Sequence, residues 1–140
     1  MAGYTPLMRF AAHVITGAGR GKRIGTPTLN VHLEDVPKEL AEGIYACRVQ
    51  WFAPLHVWFV RLTMTCKWQD AVLHYGPRPV FKDSLSCEVH VLDEIIQEAP
   101  EKVEVEIVQY LRPVLDFPSP EALQKQIKED IEEAREALKI

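Results

Sequence analysis

The sequence predicts a mainly β protein, an antiparallel barrel sealed by one C-terminal helix. Three observations lead there. Short runs rich in Val, Ile, Tyr, Phe and Trp recur along most of the chain, with Gly, Pro or Asp in the gaps between them. One of these runs alternates strictly between apolar and acidic residues. The last segment then switches to a helical period.

The candidate strands, in order, are 9–16, 43–51, 56–64, 71–75, 86–92 and 103–110. The clearest is the last, where Val103, Val105 and Ile107 alternate with Glu104 and Glu106, so one face is buried and the other wet. Strands spaced this regularly suggest a closed or nearly closed antiparallel barrel, which also removes exposed sheet edges. In the tail, Ser119 is a good N-cap and Pro120 suits the first helical turn. Leu123, Ile127, Ile131, Ala134 and Leu138 then recur every three or four residues as one apolar stripe, which packs the helix on the barrel. Its acidic exposed face is read as structural. No repeat, low-complexity tract or linker interrupts the chain, so residues 1–140 are read as a single domain.

Composition narrows the function. A chain of 140 residues can bury a real core without metal clips or disulfides. The net charge of −4 gives no global field for nucleic acid or an anionic membrane. Arg20, Lys22 and Arg23 do gather locally, and such a cluster on an acidic protein suits a phosphate-bearing small ligand, although a solvated loop has the same composition. The three cysteines, Cys47, Cys66 and Cys87, are odd in number and form no CxxC pair. They are read as reduced thiols in the cytoplasm. No signal peptide or spanning stretch is evident, and Arg61 breaks the longest apolar run.

Chemistry has three candidate seats. The segment Gly17-Ala18-Gly19-Arg20-Gly21-Lys22-Arg23-Ile24-Gly25 lets backbone approach a ligand closely and exposes N–H groups that suit phosphate oxygens. It is neither a Walker loop nor GxGxxG, so composition alone favours a plain glycine-rich hairpin loop. Thr28 and Asn30, two apart in an extended segment, point the same way and offer two hard oxygen ligands for Mg²⁺, or else serve backbone groups near Pro27. Glu88 shares a strand face with His90, opposite Cys87, Val89 and Val91. It can accept a proton from an attacking hydroxyl, or be a solvated strand-face glutamate. The five histidines show no close metal-ligand spacing, so zinc is not indicated.

Taken in order, these pieces resemble the riboflavin kinase family. Gly17-x-Gly19-Arg20-Gly21…Ile24-Gly25-x-Pro27-Thr28-x-Asn30 is similar to the GxGRGxxLGxPTAN motif that opens those enzymes. The likeness continues through Glu42-Gly43-Ile44-Tyr45-Ala46, Tyr75-Gly76-Pro77-Arg78-Pro79-Val80-Phe81, Glu88-Val89-His90-Val91-Leu92-Asp93, Leu111-Arg112-Pro113…Phe117-x-Ser119 and Gln126…Asp130 in the terminal helix. The resemblance implies a six-stranded Greek-key barrel with a C-terminal helix, ATP and riboflavin meeting at its mouth, and FMN and ADP as products. It implies Thr28 and Asn30 as ligands of Mg²⁺ and the nucleotide phosphates. Gly19, Arg20, Gly21 and Lys22 would form a flap over the nucleotide, Glu88 would be the base on the riboflavin hydroxyl, and the loop near Arg112 would close over the flavin.

The chain departs from the family pattern at Thr26, Leu29 and Val80. It also reads Ile95-Ile96-Gln97-Glu98-Ala99-Pro100 where the family carries a Tyr-Gly pair that shapes the nucleotide pocket. No adenylyltransferase module precedes the resemblance, so FMN rather than FAD is the expected product. The chain is expected to work as a monomer, with no nucleic-acid or membrane partner. Two other readings use the same residues: a flavin-binding module that has lost turnover, and an interaction barrel. The first leaves Glu88 without a purpose, and the second leaves the ordered motifs unexplained.

Overall fold

Alternation along the strands sorts the chain into an inner and an outer face, and the site is built on the outer one. The computed structural model describes residues 7–15, 28–57, 60–65, 68–77, 84–93 and 99–139, with side chains undescribed from 52 to 67. Its elements are β1 (Met8–His13), β2 (Thr28–Val31), β3 (Gly43–Val57), β4 (Val60–Thr65), β5 (Gln69–Pro77), β6 (Leu85–Val91), β7 (Lys102–Arg112) and α1 (Pro120–Ala137).

Six strands follow the order β1-β7-β3-β5-β6-β2, every neighbour antiparallel, while β4 pairs only with the far half of β3. The two ends of this path meet. Val14 bridges Val31, Ile15 N–H donates to the Asn30 carbonyl at 2.7 Å and His32 N–H to that of His13 at 3.0 Å. The sheet thus curls into the expected barrel. Its interior takes every second residue: Leu29 and Val31; Tyr45, Cys47, Val49 and Trp51; Ala71 and Leu73; Cys87, Val89 and Val91; Val103, Val105 and Ile107. Burial of each such Val, Leu or Ile contributes about 1.5–3 kcal/mol, so this face carries the stability. Both inner thiols are held protonated by burial first, Cys87 being pushed up to about 12. They pack as small apolar groups.

Helix α1 covers the other face. Ser119 Oγ accepts from Ala122 N–H at 3.2 Å, so the cap and the start at Pro120 are as the sequence predicts. Ala134 and Leu138 pack with Ile44, Ala46 and Val72, flanked by Val108, Leu111 and Ile131. Two register shifts where β7 pairs with β3 leave Leu111 and Val108 between paired residues, and both turn toward this cluster.

The strands differ from expectation in two places. Segment 56–64 is not one strand: β3 runs on to Val57 and β4 begins at Val60, with Val57 and Val60 in register. Trp58 and Phe59 give no Gly, Asn or Asp signal of reversal, and Pro54 argues against a strand that nevertheless continues through it. Conversely, Thr28–Val31 is a strand that is not among the candidate strands, in keeping with the extended reading of Thr28 and Asn30 and not with a turn near Pro27. Glu106, expected to be wet, is buried under Arg9, which donates to its carboxylate at 2.5 Å and lies 5.2 Å from the Trp68 ring centroid. Cys66 lies outside the described residues. Among the described residues no helix is long and apolar enough to cross a membrane.

Candidate active site

Strand register assembles the site. Leu29 and Val31 face the core, so Thr28 and Asn30 face outward, as do Glu88 and His90 between the inner residues Cys87, Val89 and Val91. In the β2–β6 ladder Thr28 stands opposite His90, and Asn30 opposite Glu88. The row through Asn30 then continues across the barrel: Glu88 opposes His74, His74 opposes Ile44 and Ile44 opposes Arg112. Three of the sequence-predicted residues, Asn30, Glu88 and Arg112, therefore lie on one transverse line over five strands. At about 4.8 Å per strand, its ends are about 19 Å apart along the sheet.

The polar end of that line is compact. Thr28 Oγ1 is 2.9 Å from His90 Nδ1, and His90 Nε2 is 3.8 Å from Glu88 Oε2. Asn30 is buried and its Oδ1 has no hydrogen-bond partner among the described residues. A buried amide oxygen left so costs about 1–3 kcal/mol, which a hard cation would offset. Among the described residues no group of three or more His, Cys, Asp or Glu side chains is placed to hold a metal. Thr28 and Asn30 place neutral side-chain oxygens on the same outward face. Gly19, Arg20, Gly21 and Lys22 lie outside the described residues.

The other end is apolar and roofed. A cavity of about 160 Å³ lies between the outer sheet face and α1. Its floor is Val72, His74, Glu88 and His90, its wall Leu123 and Ile127, and its roof Val114, Leu115 and Phe117. Gly76 permits that roof: its φ is +147°, and a Cβ there would stand 2.8 Å from Val114 Cγ2. Arg112 anchors the segment. Its Nε and a terminal nitrogen each donate to the Asp130 carboxylate at 2.7 Å, its other nitrogen donates to the Pro113 carbonyl at 2.9 Å, and its guanidinium lies 5.9 Å from the Phe117 ring centroid. Gln126 adds a bond to Asp130 at 3.0 Å. Asp130, only 4% exposed, stands out in the sequence only through the family likeness of Gln126…Asp130, and its burial is masked there by the other acids of an amphipathic helix.

Both floor histidines are held neutral. Burial lowers His90 to about 4, helped by His74 and opposed by Asp130, and burial likewise lowers His74. An unfolded histidine titrates near 6.5, so the unfolded chain binds more protons between pH 6.5 and 4, and stability falls as pH drops through that window. His90 alone accounts for about 3 kcal/mol of this loss. Urea unfolding without nucleotide or divalent ion, at pH 7.5 and 4.5, is expected to give a difference that shrinks by about that amount in His90→Gln. An unchanged difference would remove His90 as its source.

The family model described as Flavokinase, riboflavin kinase, matches residues 5–138. The chain is 30% identical over 155 residues to the riboflavin kinase of Yarrowia lipolytica, covering 94% of this chain and 81% of that protein. It is 31% identical over 133 residues to human riboflavin kinase, covering 91% and 78%. A trifunctional protein RibF/MnmA of Mycoplasmoides gallisepticum is 30% identical over 118 residues, where the match spans 84% of this chain but 16% of that one. A crystal structure from Streptococcus pneumoniae, described as a macrolide-efflux protein, superposes with a TM-score of 0.66 at 27% identity, over 94% of this chain and 39% of that chain.

Proposed function

The chain belongs to the riboflavin kinase family, and we propose that it transfers the γ-phosphoryl group of ATP to the 5′-hydroxyl of riboflavin, giving FMN and ADP. The observation that carries the residue roles is the transverse row, which sets Asn30 against Glu88 and runs on beneath a roofed apolar cavity. Phosphoryl transfer asks little covalent chemistry of a protein; it asks for position, charge neutralisation and exclusion of water. This row is arranged for those three.

Glu88 is the general base. It accepts the proton of the attacking hydroxyl from a strand, a rigid support that limits misalignment. Thr28 and Asn30 hold Mg²⁺ and the phosphates, and the ion, when bound, neutralises the charge that develops on the transferring group. The unsatisfied Asn30 Oδ1 supports this choice. Gly19, Arg20, Gly21 and Lys22 take the nucleotide on the strength of their motif. The cavity receives the flavin ring against Val72 and Ile127, with Arg112 fixing the roof that keeps water out. Buried thiols at Cys47 and Cys87 accord with work in the cytoplasm.

The test is to mix protein, riboflavin, ATP and Mg²⁺ and separate the flavins. Metal-dependent FMN is the expected product, and in the same assay Asn30→Ala should raise the Mg²⁺ needed for half-maximal rate about tenfold or more. No FMN from protein that still binds riboflavin would turn the reading into a flavin carrier. An unaltered Mg²⁺ response would remove Asn30 from the metal.

A further inference from the structure

His90 touches both halves of the machinery just described. Its Nδ1 lies 2.9 Å from Thr28 Oγ1 and its Nε2 3.8 Å from Glu88 Oε2, while Val72 stands opposite it in the β5–β6 ladder and lines the same cavity. The neighbours of both ring nitrogens bear on where its proton sits. A threonine oxygen that offers a lone pair to a cation must send its own hydrogen elsewhere, and His90 Nδ1 stands at hydrogen-bond distance to accept it. On the far side of the ring, a bare nitrogen facing a carboxylate would set lone pair against lone pair, whereas an N–H there is attracted to it.

We infer that His90 is a positioning residue, held as the Nε2–H tautomer, that aims the Thr28 lone pairs at the metal and restrains the Glu88 carboxylate. One imidazole thereby couples the metal-holding strand to the base-bearing strand. At 3.8 Å the Glu88 side of this coupling is electrostatic, not a hydrogen bond. The inference rests on the roles proposed above for Thr28 and Glu88.

The two nitrogens can be removed one at a time. In His90→Asn the amide overlays the Nδ1 position and retains a partner for Thr28. In His90→Gln it overlays Nε2 and retains a donor beside Glu88. Binding of Mn²⁺–ADP, followed by electron paramagnetic resonance, is expected to weaken about tenfold in His90→Gln and to stay within about twofold of wild type in His90→Asn. The turnover number should split the other way, falling about tenfold in His90→Asn and much less in His90→Gln. A third readout needs no variant: nitrogen NMR of the imidazoles in the metal-free wild type should give a bare Nδ1 and a protonated Nε2 for His90. A protonated Nδ1 overturns the inference. So does an equal loss of metal binding and turnover in both variants, which is what a packing role predicts. If wild type forms no FMN, or Glu88→Gln retains full turnover, it is the reading of the site that fails instead.

Discussion

Glu88→Gln is expected to bind riboflavin as wild type does and to form FMN about 10²–10⁴ times more slowly. The exchange keeps the length and planarity of a side chain that lines the cavity floor, while it removes the negative charge and the ability to take up a proton. Since the loss falls on the transition state, it should appear in kcat with little change in riboflavin affinity, a difference of about 3–5 kcal/mol in the barrier. Flavin fluorescence gives the affinity and chromatographic separation of the flavins gives the rate. A variant that turns over normally would leave the hydroxyl to be deprotonated by something else, and Glu88 would lose its role.

The second large effect is on stability. Asp130→Ala should cost about 3–5 kcal/mol, because it leaves the Arg112 guanidinium, 15% exposed, without the carboxylate that meets it through two bonds of 2.7 Å. Against a typical total of about 5–15 kcal/mol, that is enough to bring unfolding near working temperature. The pair itself stabilises less than its rupture suggests, since both ions are taken from water to make it. The double variant Arg112→Met with Asp130→Leu is therefore expected to recover most of the lost stability in urea unfolding. It should not recover flavin binding, because the bond from Arg112 to the Pro113 carbonyl goes with the guanidinium. A single variant that unfolds like wild type would mean that water reaches Arg112 and carries its charge.

Much of this was legible in the sequence. The alternation of Val103, Val105 and Ile107 set the inner face of β7, and the helix began at the cap that Ser119 and Pro120 announce. Parity alone put Glu88 and His90 on one face. What stayed hidden depended on long-range pairing. Nothing in the local sequence says that Asn30 will face Glu88, because register between segments so distant is fixed by the whole barrel closing. The pairing of Asp130 was illegible for a related reason: one acid among several on a helix becomes a buried ion-pair partner only once β7 delivers Arg112 to it. The far half of β3 ran against Pro54, a local signal that pairing with β4 overrode.

The parity of β6 also acts as a fidelity check. Cys87, Val89 and Val91 never meet a substrate in this reading, yet they determine whether Glu88 and His90 do. A slip of one residue would send the carboxylate and the imidazole into the aliphatic interior and turn three apolar side chains outward. Misregistered chains would lose core and reactivity in one step and would be discarded as unfolded. The inert residues of the strand thus proofread the reactive ones, and a chain that packs is a chain whose catalytic face is already in order.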